Sequence, residues 1–149
     1  MAQNTQPIYS LIGDLSYNSS NKMSGALPFT AAANDYTGIS TNYVQVFTAL
    51  TGGSFVQRLR YKALGTNVAS VARVFINNGI DSSTLSSGNA FYGELSLPAI
   101  TASTNAATVD IDYPMNFVVP SGFRIYTGLG TSVAAGWVCT PIAGQYSTV

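Results

Sequence analysis

Histidine is absent from this 149-residue chain, and cysteine occurs once, as Cys139. Without imidazole the commonest general base, proton shuttle and metal ligand is missing. A serine nucleophile would lack its usual partner, and one thiol makes no zinc site. A single cysteine permits no intrachain disulfide, and in an apolar run it reads as a small buried hydrophobe. Charge is scarce too, at 8% of residues against about 25% in a typical domain. Six basic and six acidic residues cancel to a formal net charge of zero. A chain held to nucleic acid or to an anionic membrane needs a basic excess, so neither partner is expected. No run approaches the ~20 apolar residues of a membrane span. Residues 1–15 have neither the basic start nor the apolar core of a signal peptide. The expectation is a protein made in a reducing cytoplasm, with no cofactor and no metal.

What remains is a sheet-forming composition: 46% hydrophobic residues, nine tyrosines, seven phenylalanines and many small polar residues. A chain of this length buries roughly 68–70% of its unfolded surface, enough for one independent core. Residues 54–79 are the most regular stretch. Phe55, Gln57, Leu59, Tyr61 and Ala63 alternate with Val56, Arg58, Arg60 and Lys62, the period of two that a half-buried strand needs. Gly65-Thr66-Asn67 breaks the pattern, a second strand runs over 68–76, and Asn78-Gly79 suits a tight turn. With a strand from 43 to 49, this predicts a three-stranded meander. Further strand signals fall at 90–97, 109–113, 116–119, 123–129 and 133–140, separated by glycine, proline and asparagine. Val109, Ile111 and Tyr113 are expected on the buried face. About eight short strands at this spacing predict an all-β fold, a single antiparallel β-sandwich over residues 41–149, jelly-roll-like. An immunoglobulin-like sandwich is the rival, without its Cys–Trp–Cys signature. Residues 1–40 are irregular and read as an extended arm with one short strand near residues 8–15. Its apolar residues, among them Leu11, Ile12 and Phe29, need a cover, in this chain or on a neighbour.

Few residues carry chemistry. Asp110 and Asp112 share a strand face about 7 Å apart, twice the strand rise. That spacing fits a calcium ion or a glycosidic pair, but a solvated outer face is the simpler reading. Arg58, Arg60 and Lys62 form the only basic row. Paired with the two aspartates across strands or between subunits, they would set register and partner choice. Gly128-Leu129-Gly130 lacks the third glycine and helix of a dinucleotide fingerprint and reads as a turn. Trp137, Tyr126, Tyr113 and Phe123 read as core more readily than as a sugar platform.

The chain carries an R-x-R-x-K-A strand from Arg58 to Ala63, Gly65-Thr66-Asn67, and R-V-F-I-N-N-G from Arg73 to Gly79. An L-P strand end at Leu97-Pro98 follows, then G-x6-L-G-T-x-V-A-A-G-W from Gly122 to Trp137. This order, over residues 44–146, resembles small structural proteins of tailed bacteriophages, and among them capsid decoration (cement) proteins. The resemblance implies a non-enzymatic virion protein on the capsid surface. It also implies a homotrimer that clamps neighbouring subunits of the major capsid protein. A host-glycan-binding tip of a head or tail fibre is the alternative. A virion-borne glycosidase acting through Asp110 and Asp112 is a third.

Overall fold

The computed structural model describes residues 28–49, 52–80 and 88–145. Seven strands lie there: β1 (Val44–Thr48), β2 (Ser54–Ala63), β3 (Ser70–Asn77), β4 (Asn89–Leu97), β5 (Asp110–Val119), β6 (Arg124–Leu129) and β7 (Trp137–Gln145). Every pairing is antiparallel. One sheet runs β1-β6-β3-β4 and the other β5-β2-β7. The fold is all-β, and the two sheets share one core, as the strand spacing predicts. Val56, Leu59 and Tyr61 of β2 meet Ala72 and Val74 of β3, Ile125 and Leu129 of β6, and Trp137 and Cys139 of β7. Burying such a set on both inner faces is what holds a sandwich together, at roughly 25 cal/mol per Å² of apolar surface.

The predicted meander is not what forms. β2 and β3 lie in different sheets, each in an interior position of its own. Alternation specifies a strand and its buried face, but not its neighbour. Residues 64–69 are long enough to cross between sheets that stack about 10 Å apart. Asn67 anchors the crossing. It exchanges two backbone hydrogen bonds with Ile100, donates from Nδ2 to Gly136 O, and accepts at Oδ1 from the Ala135 and Gly136 amides. Backbone and side chain of this one residue, only 3% exposed, thereby tie three loops.

Strand phases differ from strict alternation where bulges intervene. Gln57 is an extra residue in β2 relative to β7, since Val56 pairs with Ala143 while Arg58 pairs with Ile142. Val56 therefore turns into the core, although alternation places it with the basic row. A bulge between Gln45 and Phe47 does the same in β1, burying both Val46 and Phe47. β5 runs unbroken through Pro114, where alternation breaks into two strands; it is an edge strand, where a missing amide is tolerated. Val109 precedes β5 and is 54% exposed, against the expectation of burial. Gly128 belongs to β6 and not to a turn. A side chain there would meet the Tyr43 ring at 2.5 Å, so glycine is required by what packs on the strand.

From Pro28 onward the N-terminal residues belong to the sandwich, so the expected arm of residues 1–40 is part of the fold over residues 28–40. Phe29 is 4% exposed and sits against the core, its ring edge-on to Tyr61. Phe29 and Trp137 exchange two backbone hydrogen bonds, of 2.9 and 3.2 Å. Further on, Thr30 O accepts from the Val133 amide and the Ala33 amide donates to Leu129 O. The strand expected near residues 8–15, with Leu11 and Ile12, lies outside the described residues.

Candidate functional site

Three surfaces carry the residues that could act. The first is the outer face of the three-stranded sheet. Register places Arg60 opposite Asp112 and Lys62 opposite Asp110, so the sequence-predicted rows meet across β2 and β5 within one chain. Arg60 holds Asp112 in a two-pronged ion pair, Nε to Oδ1 at 2.8 Å and a second donor to Oδ2 at 2.9 Å. This is the planar match that guanidinium and carboxylate favour. Arg58 Nε lies 3.5 Å from the same Oδ2, and Lys62 Nζ lies 2.6 Å from Asp110 Oδ1. Lys62 also donates to Thr108 O.

The electrostatics follow from these contacts. The hydrogen bond from Lys62 holds the Asp110 carboxyl below its ordinary value, and the hydrogen bond from Arg60 does the same for Asp112. Both carboxylates are thus held ionised. A glycosidic acid needs the opposite, a carboxyl kept protonated near neutrality. All five side chains remain partly solvated, so each pair contributes modestly and is screened by salt. A pH dependence follows. Carboxylates with depressed values stabilise the fold fully above the ordinary carboxylate range and lose that contribution as pH falls through their folded values. Thermal melts between pH 7 and pH 2 are expected to show a shallower acid loss for the Asp110→Asn, Asp112→Asn double variant than for the unaltered chain. Parallel acid curves would show that the pairs contribute nothing.

The second surface is the outer face of the four-stranded sheet, crossed by residues 33–43. Asp35 accepts from the amides of Thr37, Gly38, Ile39 and Ser40 and from the Thr37 hydroxyl. Burial raises its carboxyl, but the hydrogen bonds outweigh that and leave it lowered. Arg73 of β3 clamps the loop, donating to Ala33 O at 2.8 Å and to the Tyr36 hydroxyl at 3.2 Å. Its guanidinium carbon stands 4.1 Å from the Tyr36 ring centroid, and its Nε is 3.5 Å from Glu94. Asn89 Nδ2 holds Gly38 O. Beneath the loop, Ala33, Tyr43 and Phe75 form a small second core. Alternation marks Arg73 as a strand residue facing away from its neighbours, but nothing local says that a loop lies above it. Only its guanidinium chemistry, able to serve several acceptors at once, hints at the role.

The third surface is the side of the sandwich where β4 and β5, the outer strands of the two sheets, approach each other. Tyr92 packs edge-on to Tyr113, with ring centroids 5.9 Å apart, and lies 5.3 Å from Phe117. Gly93 admits the Tyr113 hydroxyl, where a side chain would collide with it. Tyr92 is 40% exposed, and Val118 of β5 and Val109 just before it also reach solvent, whereas Phe91 is exposed on the second surface, where its ring meets Tyr36 and Phe75. Sequence reasoning passed over this cluster, because Tyr92 precedes the glycine that makes the contact possible. Of the other aromatics considered, Trp137 is buried in the core, while Tyr126 and Phe123 are half-buried.

Cys139 is buried, and burial pushes its thiol up to about 12, far from a reactive thiolate. Among the described residues no three carboxylate or thiol groups come together as a metal site. No helix there is long and apolar enough to cross a membrane. No protein-family model, curated protein or solved structure matches the chain.

Proposed function

We propose that this protein is a non-enzymatic structural component of a bacteriophage virion. In this reading it is a decoration protein that binds the outside of the assembled major-capsid shell, as a homotrimer, and stabilises it. The observation that carries the reading is the third surface. Tyr92 and Val118, with Val109 just before β5, are exposed beside two strands that each have one strand neighbour among the described residues, and they offer apolar contact to a protein neighbour. The charged face supports it differently. Its ion pairs close within the chain, so copies crowded on a lattice meet a surface with little uncompensated charge. A ligand that binds only the assembled shell stabilises it by mass action.

Binding to shells of the cognate major capsid protein tests this. The unaltered protein is expected to sediment with assembled shells and not with free capsid subunits, at hundreds of copies per particle. Tyr92→Ser, folded by circular dichroism, is expected to weaken binding about tenfold, or about 1.4 kcal/mol. Failure to sediment with shells, or a handful of copies per particle, would sink the decoration role. A host-glycan-binding tip is the second reading, favoured by Tyr36 and Phe91, which stand edge-to-face and exposed as a sugar-stacking pair would. Low copy number together with glycan binding lost in Phe91→Ser would select it.

A further inference from the structure

We propose that Asn78 is a self-modification site, where the carboxamide converts slowly to aspartate and isoaspartate without an enzyme, at a rate that Asn77 holds down. Asn78-Gly79 is the one Asn-Gly pair in the chain. Glycine sets no side chain in the way of its own nitrogen, and asparagine is among the thermolabile residues. The step is an intramolecular acyl transfer. Hydroxide takes the Gly79 amide proton, and the nitrogen attacks Asn78 Cγ. The Cγ–Nδ2 bond breaks, Nδ2 takes up a proton from water and leaves as ammonia, and a succinimide remains. Water then opens that ring. Breaking the new bond to Cγ gives aspartate, and breaking the older bond to the main-chain carbonyl carbon gives isoaspartate, whose backbone is one methylene longer.

Three contacts hold the turn away from this reaction. The Gly79 amide donates to Asn77 Oδ1 at 2.8 Å, so the proton that must leave rests on an acceptor, and the anion left behind would face a carbonyl oxygen. Asn78 Oδ1 accepts from the Ile80 amide at 3.1 Å, which fixes the carboxamide that must be attacked. The Asn78 amide donates to Gly88 O. Asn77 is the firmest of these restraints because it is itself held. It is 1% exposed, pairs with Asn89 across β3 and β4, and donates from Nδ2 to Asn89 Oδ1 at 2.9 Å. Asn89 in turn holds Gly38 O, so the clamp is continuous with the loop over the second surface. Water still reaches the turn, since Asn78 and Gly79 are half-buried and Ile80 is 79% exposed. The isoaspartate product does not fit there. Gly79, at φ 79°, lies so close to the Gly122 carbonyl that a side chain would collide with it. A longer backbone must give up that packing or the Asn78–Gly88 hydrogen bond, and either product adds a negative charge to a chain of zero net charge. The inference does not depend on the virion reading.

The full-length chain, aged in mildly alkaline buffer and followed by peptide mass spectrometry with an isoaspartate assay, supplies the test. Asn78 is expected to convert about tenfold to a hundredfold more slowly in the folded chain than in the same chain unfolded in urea, because the turn must open first. Equal rates would show that the fold imposes no hold. A folded chain more than about a thousandfold slower would remove Asn78 as a site of modification. Asn77→Ala, shown to be folded by circular dichroism, is expected to convert about tenfold faster than the unaltered chain, having lost the acceptor for the Gly79 amide. A folded Asn77→Ala that converts at the unaltered rate would overturn the role given to Asn77. Amide exchange on the unaltered chain reads the same hydrogen bond should that variant misfold. The Gly79 amide is expected to exchange at least about tenfold more slowly than in an unstructured peptide, and exchange at the unstructured rate would refute the clamp.

Discussion

Trp137→Ala is expected to lower the unfolding free energy by about 3–5 kcal/mol, the range for truncating a large buried aromatic. Trp137 is fully buried, pairs with Ala63 of β2, and bridges to Phe29 by backbone hydrogen bonds. One cavity there loosens β7, its contact with β2 and the anchoring of residues 28–33 together. Trp137→Phe separates packing from polarity. The indole Nε1 has no hydrogen-bond partner among the described residues. A phenyl ring gives up volume but also removes a buried donor left unsatisfied, and those two effects oppose each other. Trp137→Phe should therefore cost less than about half of what Trp137→Ala costs. Urea unfolding followed by circular dichroism measures both, since the only tryptophan is lost as a fluorophore. Equal costs for the two variants would mean that the site tolerates no smaller ring and that polarity plays no part.

Asn67→Ala is the second large effect, at about 2–4 kcal/mol, from a residue that a sequence reading passes as a loop. Its side chain satisfies the Ala135 and Gly136 amides and donates to Gly136 O. Removing it strands one buried donor, the Gly136 amide, at about 1–3 kcal/mol, and one half-buried donor, the Ala135 amide, at less. The carbonyl suffers less, because the Leu64 amide also reaches Gly136 O. Asn67→Asp keeps the acceptor for both amides but sets a carboxylate beside the carbonyl. It should fall between alanine and the native residue near neutrality and recover as acid protonates it. If Asn67→Ala melts within a degree of the unaltered chain, water has replaced the side chain and the loops are not tied by it.

Much of the architecture is legible in the residues themselves. Alternation at 55–63, 68–76, 90–97 and 109–113, with glycine and proline between, is enough for an antiparallel sandwich, because period two and short strands leave little else. The facing rows of Arg60, Lys62, Asp110 and Asp112 are legible as complementary too. Whether they pair across strands or between subunits is not legible there, and register across β2 and β5 decides it. Other features resist a linear reading. Val56 changes face because Gln57 is an extra residue, and a bulge leaves no mark that alternation can register. Arg73 reaches the 33–43 loop from 40 residues further along the chain, and the Tyr92 cluster joins strands of different sheets.

By itself the sequence determined the class of fold, the zero net charge, and the lack of imidazole anywhere in the chain. These depend on composition and on local period, which no folding step alters. Tertiary structure decided which strands became neighbours, sending β2 and β3 to separate sheets, and which loop closed over which face. Those choices rest on the burial of the whole core and on long-range hydrogen bonds such as those of Asn67. The free energy involved belongs to contacts between distant segments, so no single stretch of the chain encodes it.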